Sequence, residues 1–305
     1  MLEFRLAQAT AAATFVLLVI GGMVHATGSS LACPDWPLCY GQFFPAMEGG
    51  VLFEHGHRLV ALSVAVLTVV LAVVTWRRRT ETAVRAGALI AVALVLFQAS
   101  LGALTVVWKL PLVVSSGHLA TSMAFFSVLV WLSWRLAPAR SPEGPVASAG
   151  VRALAGAAAV GVYLQIVLGA LVRHTGSGLA CGTEVILCQG RAWPAGGPAQ
   201  LVTLHRIVGV AVALLLFAAA TGALRSGAVR ARRAALAAPV LVVVQVLLGA
   251  WTVWSMISVP VVSLHLGVGA LLLADSILLF LQLGPEPASR RAGGDRLPGL
   301  VPAAG

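Results

Sequence analysis

The chain has 305 residues, of which 59% are hydrophobic and only 10% are charged, whereas soluble domains carry about 25% charged residues. This composition excludes an ordinary soluble protein and indicates an integral membrane protein. The net charge of +10 could suggest a nucleic-acid partner, but the distribution of the charges along the chain explains it better by membrane topology, and we expect no nucleic acid to bind.

Eight apolar segments follow one another along the chain, and each is long enough to cross the ~30 Å hydrocarbon core of a lipid bilayer. Because lipid offers no partners to backbone polar groups, these segments must be helices. We therefore predict an all-α membrane protein with spans at about 10–28, 53–76, 83–107, 112–136, 150–173, 201–225, 230–254 and 260–283. The first span is too long for a removed signal peptide and lacks the small-residue cleavage pattern, so we expect it to be retained.

The basic residues predict the orientation of the spans. If both termini are cytoplasmic, 15 of the 20 lysines and arginines lie on the inner side, a strong positive-inside bias. The inner set is Arg5, Arg77, Arg78, Arg79, Arg85, Arg135, Arg140, Arg152, Arg225, Arg230, Arg232, Arg233, Arg290, Arg291 and Arg296, and the outer set is Arg58, Lys109, Arg173, Arg191 and Arg206. This bias predicts a multi-pass protein of the cell membrane with both termini in the cytoplasm.

The four cysteines all fall in loops that this orientation places outside the membrane, where disulfides persist. Cys33 and Cys39 lie between spans 1 and 2, and Cys181 and Cys188 lie between spans 5 and 6. Four cysteines allow three pairings, and the repeat described below favours the two local pairs. A structural disulfide is the simpler interpretation and a redox-active pair is the alternative. Zinc is not favoured, because the intervening five and six residues exceed the two to four that are typical of a zinc knuckle.

An internal repeat decides the architecture. Three pairs of segments match at an offset that stays between 147 and 149 residues. They are HATGSSLAC from His25 with HTGSGLAC from His174, FEHGHRLVALSVAV from Phe53 with LVTLHRIVGVAVAL from Leu201, and FQASLGALTVVWKLPLVVSSGHLA from Phe97 with VQVLLGAWTVWSMISVPVVSLHLG from Val244.

Each half of the repeat holds four spans, so the two halves have the same orientation and form a parallel duplication. The repeat therefore predicts two four-helix bundles related by a pseudo-twofold axis along the membrane normal. We assign residues 1–140 to the first bundle, 141–283 to the second and 284–305 to a disordered cytoplasmic tail rich in proline, glycine and arginine.

Four histidines occupy matching places near the outer ends of these bundles. His57 and His118 begin spans 2 and 4, and His205 and His265 begin spans 6 and 8. Imidazole is a common axial ligand of haem iron, and cofactor sites in bundles are built from side chains of facing helices. The pattern predicts two haems, each held by one histidine pair. The alternative is that the histidines only form hydrogen bonds within the bundles.

Two arginines directly follow the first histidine of each pair. Arg58 and Arg206 could bind a haem propionate by a charge-assisted, bidentate contact. The alternative is an interfacial arginine that reaches the lipid headgroups.

One carboxylate distinguishes the two halves. Glu54 lies three residues before His57 and shares its helix face, whereas the equivalent residue of the second half is Val202. Carboxylates near a membrane face are costly and tend to be functional. We expect the first half to perform chemistry and the second to hold an auxiliary redox centre. The alternative is that Glu54 faces water at the helix start, where the helix dipole favours it.

Three further histidines are weaker candidates. His55 is paired with Thr203 in the repeat and points away from the helix face that carries Glu54 and His57, so we expect it at the membrane interface and not as a ligand. His25 and His174 end spans 1 and 5, but they are not aligned with each other, since Arg173 is the repeat partner of His25.

At this point the motifs resemble those of the haem A synthase family over about residues 10–283. The matching runs are GxxVxxTGSxLACPDWPLC from Gly21, EHGHR from Glu54, SGHLA from Ser116, TLHRIVG from Thr203 and SLHLG from Ser263. Each run alone is weak, but together, in order and duplicated, they are highly specific.

The resemblance implies a function and a role for each site residue. The family oxidises one porphyrin methyl group of haem O, through an alcohol, to the formyl group of haem A for cytochrome oxidase. It implies that the substrate haem O lies between His57 and His118, that haem b is the cofactor of His205 and His265, and that Glu54 is the catalytic carboxylate. The outer-loop cysteine pairs of the family are matched by Cys33, Cys39, Cys181 and Cys188.

Partners and competing functions complete the expectations. Such an enzyme would lie in the bilayer with haem O synthase as a delivery partner and with assembly factors of cytochrome oxidase.

A dihaem b-type electron-transfer protein is the main competing hypothesis. It would need the same four histidines, but Glu54 would have no function in it. A transporter built from parallel repeats is a third hypothesis, although the centre of the membrane contains almost no polar residues.

Overall fold

The computed structural model describes residues 1–138 and 145–285. These residues form eight long helices and, within the same ranges, no β-strand, which confirms the predicted all-helical membrane fold. The helices are α1 (Leu2–Ala26), α2 (Gly49–Arg78), α3 (Thr82–Val107), α4 (Leu112–Leu136), α5 (Ala149–His174), α6 (Gly197–Arg225), α7 (Arg232–Trp254) and α8 (Val259–Gln282). Two short 3₁₀ turns, Ser177–Leu179 and Val229–Ala231, precede α6 and α7.

The first helix begins well before its predicted start near residue 10. Its first turns hold leucine, glutamate, alanine and glutamine, which favour a helix even where the sequence is not apolar. Glu3 in the first turn also forms an ion pair with Arg79 after α2, with 3.2 Å between Oε1 and Nε. Hydropathy alone locates only the membrane-crossing part of α1 and misses this polar extension.

Each half of the chain closes into a four-helix bundle. In the first half, α1 packs on α2, α2 on α3, α3 on α4, and α4 on α1, and helices α5 to α8 repeat this order. The halves meet where α1 packs on α8, α4 on α5, and α4 on α8. A pseudo-twofold axis exchanges α1 with α5 and α4 with α8, so it relates the α1–α8 contact to the α4–α5 contact. Both contacts are present, which confirms the predicted architecture.

An apolar core joins the two bundles at this axis. Leu18, Met123 and Phe126 from the first half pack with Leu216 and Leu273 from the second, and all five are buried. Burial of this core makes the two halves one body. The predicted boundary between residues 140 and 141, and residues 286–305 of the predicted tail, lie outside the described residues.

Both disulfide loops lie at one end of the bundles, which we call the cysteine end. They are the connections between α1 and α2 and between α5 and α6. Cys33 is bonded to Cys39 and Cys181 to Cys188, with Cα atoms 4.8 and 4.7 Å apart, so the predicted local pairing is confirmed. The first residues of the helices that carry the four histidines also lie at this end.

Candidate functional site

The four histidines lie at equal depths in the two bundles. His57 and His205 are each eight residues beyond the first residue of α2 and α6, and His118 and His265 are each six residues beyond the first residue of α4 and α8. At 1.5 Å per residue, these positions lie roughly 12 and 9 Å below the helix starts. Within each bundle the two helices that carry the histidines stand diagonally opposite each other, α2 opposite α4 and α6 opposite α8. The structure thus brings together the pairs that the repeat predicts.

A glycine of the preceding helix lies directly against each histidine ring. In the second half, a Cβ added at Gly169 of α5 would lie 3.1 Å from Cε1 of His205, and one at Gly249 of α7 would lie 3.2 Å from Cε1 of His265. Such distances are shorter than ordinary contacts between carbon atoms. These glycines therefore let the rings approach the neighbouring backbone.

The first half repeats this arrangement at the equivalent positions. A Cβ at Gly21 of α1 would lie 3.1 Å from Nε2 of His57, and one at Gly102 of α3 would lie 3.4 Å from Cε1 of His118. Sequence reasoning missed all four glycines, although three of them stand in the same LGA triplet. That recurring triplet is the signal that could have identified them.

Glutamines hold the histidine-bearing helices in place. Gln98 Nε2 donates to the backbone oxygen of His118 at 2.7 Å. Gln165 Nε2 donates to the backbone oxygen of His205 at 2.8 Å and lies 3.1 Å from Nδ1 of the same ring. The contact between Gln245 Nε2 and Nε2 of His265 is longer, at 3.5 Å. These contacts fix the registers of the helices that carry the imidazoles.

Two of the four imidazoles keep a buried ring nitrogen without a protein partner, Nδ1 of His118 and Nδ1 of His265. A buried polar atom without a hydrogen bond costs about 1–3 kcal/mol. Paired imidazoles in apolar surroundings, each packed on a bare glycine backbone, match the ligand set of a haem iron. The residues present therefore fit two haems.

Glu54 is buried beneath the first disulfide loop, with 5% of its surface exposed. Its Oε1 accepts a hydrogen bond from Nη2 of Arg58 at 2.6 Å, and its Oε2 accepts one from the backbone N–H of Cys33 at 2.8 Å. The alternative in which this carboxylate faces water at the helix start is therefore wrong. Both carboxylate oxygens are held in place by the protein.

Arg58 ties the same loop onto α2. Its Nη1 donates to the backbone oxygens of Asp35 at 2.7 Å and Leu38 at 2.6 Å, in addition to its ion pair with Glu54. The guanidinium therefore donates to two loop carbonyls, which lie 23 and 20 residues before Arg58 in the chain, and to one carboxylate. These contacts favour a positioning role for Arg58 over binding of a propionate.

The second half lacks this carboxylate, and its arginine is differently engaged. Val202 is buried at the position of Glu54. Arg206 Nη1 donates to the backbone oxygen of Leu187 at 3.2 Å, but its Nη2 is buried and has no hydrogen-bond partner. Only in the second half, therefore, does the arginine offer a buried donor to an anionic group.

A second carboxylate shapes the first disulfide loop. Asp35 accepts hydrogen bonds from the backbone N–H groups of Tyr40 at 2.7 Å and Gly41 at 2.8 Å. The hydrogen bond from Gly41 is the main reason that the pKa of the Asp35 carboxyl lies below its ordinary value, and the bond from Tyr40 lowers this pKa further. Desolvation of the carboxylate opposes this shift in part.

The three weaker histidines occupy positions that the repeat does not reveal. The rings of His25 and His174 meet edge to face where the two bundles adjoin, with centroids 4.9 Å apart. His174 Nδ1 is also 3.0 Å from Oγ of Ser116, two residues before His118. His55 is buried, with 3% of its surface exposed. It lies against the first disulfide at the cysteine end, and its position at the membrane interface stays a prediction.

Comparison with known proteins identifies relatives over most of the chain. A family profile described as "Cytochrome oxidase assembly protein", COX15-CtaA, matches residues 4–277. The chain is 32% identical to a haem A synthase of Bacillus pumilus (strain SAFR-032) over 71% of this chain and 73% of the relative. It is 32% identical to one of Shouchella clausii (strain KSM-K16) over 70% and 73%. It is 33% identical to one of Symbiobacterium thermophilum over 68% and 71%.

Proposed function

Because the chain belongs to the COX15-CtaA family of cytochrome oxidase assembly proteins, we propose that it is a haem A synthase, a multi-pass membrane enzyme of haem A biosynthesis. The observation that carries this proposal within the structure is the asymmetry between two otherwise equivalent histidine pairs. Only the pair of the first half has a buried carboxylate, Glu54, three residues before its first histidine.

The reaction we propose is the oxidation of one methyl group of haem O to a formyl group through a hydroxymethyl intermediate. The enzyme is then an oxidoreductase whose substrate is itself a haem. A methyl C–H bond is inert, so the protein must orient the substrate and stabilise the charge that develops at the reacting carbon. In each of two stages the carbon would take up the oxygen of one water molecule and release two electrons and two protons, the electrons passing to an external one-electron acceptor. The gem-diol formed in the second stage would lose one water molecule to leave the formyl group.

The first bundle would bind this substrate. His57 and His118 are at matching depth and would hold the iron of haem O between α2 and α4. Glycines at positions 21 and 102 allow these rings to pack against the helix backbone, which limits the movement of the imidazoles. The substrate methyl group then has a fixed position relative to the buried carboxylate.

Glu54 would be the catalytic carboxylate. Its oxygens are held by Arg58 and by the N–H of Cys33, and each carboxylate oxygen has further acceptor capacity. It can therefore accept a proton from the attacking water or stabilise positive charge beside the methyl carbon. Arg58 would be a positioning residue, since it acts on the substrate only through Glu54 and the loop.

The second bundle would bind haem b as a resident cofactor through His205 and His265. Haem b would supply one-electron chemistry, which carries electrons to or from the first bundle. We assign the propionate contact to Arg206, because its buried Nη2 has no protein partner. The same contact at Arg58 is less favoured, because its Nη1 and Nη2 both have protein partners.

The cell setting follows from charge and from the family. The positive-inside bias supports a plasma-membrane location with cytoplasmic termini and with the cysteine end outside. Haem O is largely apolar apart from its propionates and would stay in the membrane, so we propose haem O synthase as its delivery partner and assembly factors of cytochrome oxidase as recipients of the product.

A pigment analysis of matched variants tests this function. Wild-type protein, Glu54→Gln and Val202→Ala are produced beside a source of haem O, and the extracted haems are separated by chromatography. We expect Glu54→Gln to retain haem b but to accumulate haem O or its hydroxymethyl form, and Val202→Ala to yield haem A. A normal haem A yield from Glu54→Gln would refute the role of Glu54, and unmodified haem alone from the wild type would favour the dihaem electron carrier.

A further inference from the structure

A second group of potential ligands lies outside the haem sites, beneath the first disulfide. It consists of Cys33, Cys39 and His55, all buried. One ligand atom from each of these residues lies within 4.8 Å of the ligand atoms of the other two. None of the three side chains has a task in the chemistry proposed above, although the backbone of Cys33 holds Glu54.

The hydrogen bond of His55 leaves the other ring nitrogen suited to a metal. Its Nε2 lies 2.9 Å from the backbone oxygen of Phe43. A carbonyl oxygen can only accept, so Nε2 carries the hydrogen, and in the neutral ring Nδ1 has a free lone pair. That Nδ1 is buried and has no hydrogen-bond partner. Metal-binding histidines commonly have this arrangement, with the distal N–H donated to a backbone carbonyl.

The second disulfide loop is a natural comparison, because it lacks the imidazole. Thr203 occupies the repeat position of His55, and its Oγ1 is buried without a partner. Cys181 and Cys188 are therefore paired in the same fold without a nitrogen ligand beside them. The cysteine spacings alone disfavoured zinc, whereas the third ligand of this group comes from α2.

We propose that, once the Cys33–Cys39 disulfide is reduced, these two thiolates and Nδ1 of His55 bind one Cu(I) ion. An external dithiol supplies the two electrons and two protons that convert the S–S bond into two thiols, and both thiols lose their protons to solvent when the ion binds. With metal–sulfur bonds of about 2.3 Å, two sulfurs on a three-coordinate ion lie about 4 Å apart. A small relaxation of the loop provides this separation.

The choice of Cu(I) follows from the number and softness of the ligands. Thiolates select Cu(I) and Zn²⁺, but Zn²⁺ in structural sites takes four ligands. The neighbouring carboxylate of Glu54 does not belong to this group of ligand atoms. Among the described residues, the site thus offers three ligands, which suits Cu(I).

The bound ion would join the same two loop positions that the disulfide joins. The N–H of Cys33 would then stay on Glu54 whether the cysteines are oxidised or reduced. The loop would keep its contact with the carboxylate in both states.

The test uses full-length protein in detergent, reduced with dithiothreitol, freed of the reductant and titrated anaerobically with Cu(I) against a chromogenic Cu(I) chelator. We expect one ion per chain, with two sulfurs and one nitrogen in its X-ray absorption spectrum. His55→Thr, which makes the first loop resemble the second, should weaken binding by more than about 100-fold, since removal of even a supporting partner costs 10- to 100-fold. Thr203→His should add a second ion.

Two controls separate this site from folding and from the haem chemistry. The double variant Cys181→Ser and Cys188→Ser should bind one Cu(I) as the wild type does. The Soret absorbance of each variant checks that the fold is intact, and haem A yield is measured separately, so the site can fail while the proposed function stands. Equal Cu(I) affinity in wild type and His55→Thr, no stoichiometric binding by the reduced wild type, or tighter binding of Zn²⁺ than of Cu(I) would overturn the proposal.

Discussion

Replacement of Gly249 by alanine should weaken haem b binding in the second bundle. The added Cβ would lie 3.2 Å from Cε1 of His265, whereas carbon atoms pack at about 3.5–4.0 Å. The imidazole must therefore move by roughly 0.3–0.8 Å, which exceeds the tolerance of about 0.2 Å for a metal–ligand distance. Overpacking of this kind costs about 1–3 kcal/mol, so we expect haem b affinity to fall about 5- to 150-fold.

Gly117 provides the matched control for this substitution. It lies inside α4, next to His118, and a Cβ added there would meet nothing within 4 Å. Because Gly117 lies in the first bundle, Gly117→Ala should leave the haem b content unchanged, or raise stability slightly, since alanine favours a helix over glycine by about 1 kcal/mol.

The assay is the haem b content per protein after purification, followed by the rate at which haem transfers to an excess of apomyoglobin. Gly249→Ala should lose haem faster than both the wild type and Gly117→Ala. Haem retention by Gly249→Ala equal to that of the wild type would show that the glycine contact does not position His265, and the packing argument would fail for the other three glycines as well.

Three further predictions concern the arginines and the first disulfide loop of the cysteine end. Arg206→Gln should weaken haem b binding by roughly 10- to 100-fold, because a hydrogen bond to a charged group contributes about 1.5–3 kcal/mol. Arg58→Gln should instead lower haem A yield while haem b stays bound, and equal haem b loss in both variants would contradict their different roles. Because the folded-state pKa of Asp35 is depressed, its hold on the loop is complete above the unfolded value near 3.9 and is lost as pH falls through the lower folded value. Hydrogen exchange at Tyr40 and Gly41 should keep its protection down to about pH 4 and lose it only below, and Asp35→Asn should remove this dependence; loss of protection with a midpoint above pH 4 would refute it.

The sequence predicted the eight spans well, since lipid demands long apolar helices and these are visible in composition alone. The sequence did not predict that α1 begins at Leu2. Residues 2–9 are helical because of local propensity and the ion pair of Glu3, and neither of these raises hydropathy. The disulfide pairs were predictable from the repeat, because each loop carries its own two cysteines.

The features of the site that the sequence did not predict depend on contacts between segments that are distant along the chain. For Arg58 the sequence left a haem propionate and the lipid headgroups as alternative partners. The contacts it makes with Glu54 and with two loop carbonyls depend on a loop path that the sequence does not reveal. The contact of His25 with His174 was hidden because the repeat aligns His25 with Arg173. For His55 the sequence showed only its repeat partner and its helix face, and the fold shows that the disulfide loop covers it.

The pseudo-twofold relation between the bundles bears on how an asymmetric enzyme can descend from a symmetric ancestor. Two separate copies of one four-helix unit, associated as a dimer, would carry every substitution twice, because one gene encodes both subunits. A carboxylate at the position of Glu54 would then accompany both haems, and so would any imidazole beside the cysteines. Fusion of the two copies into one chain lets positions 202 and 203 differ from positions 54 and 55, so under the proposed function one haem site could be reactive while the other serves electron transfer.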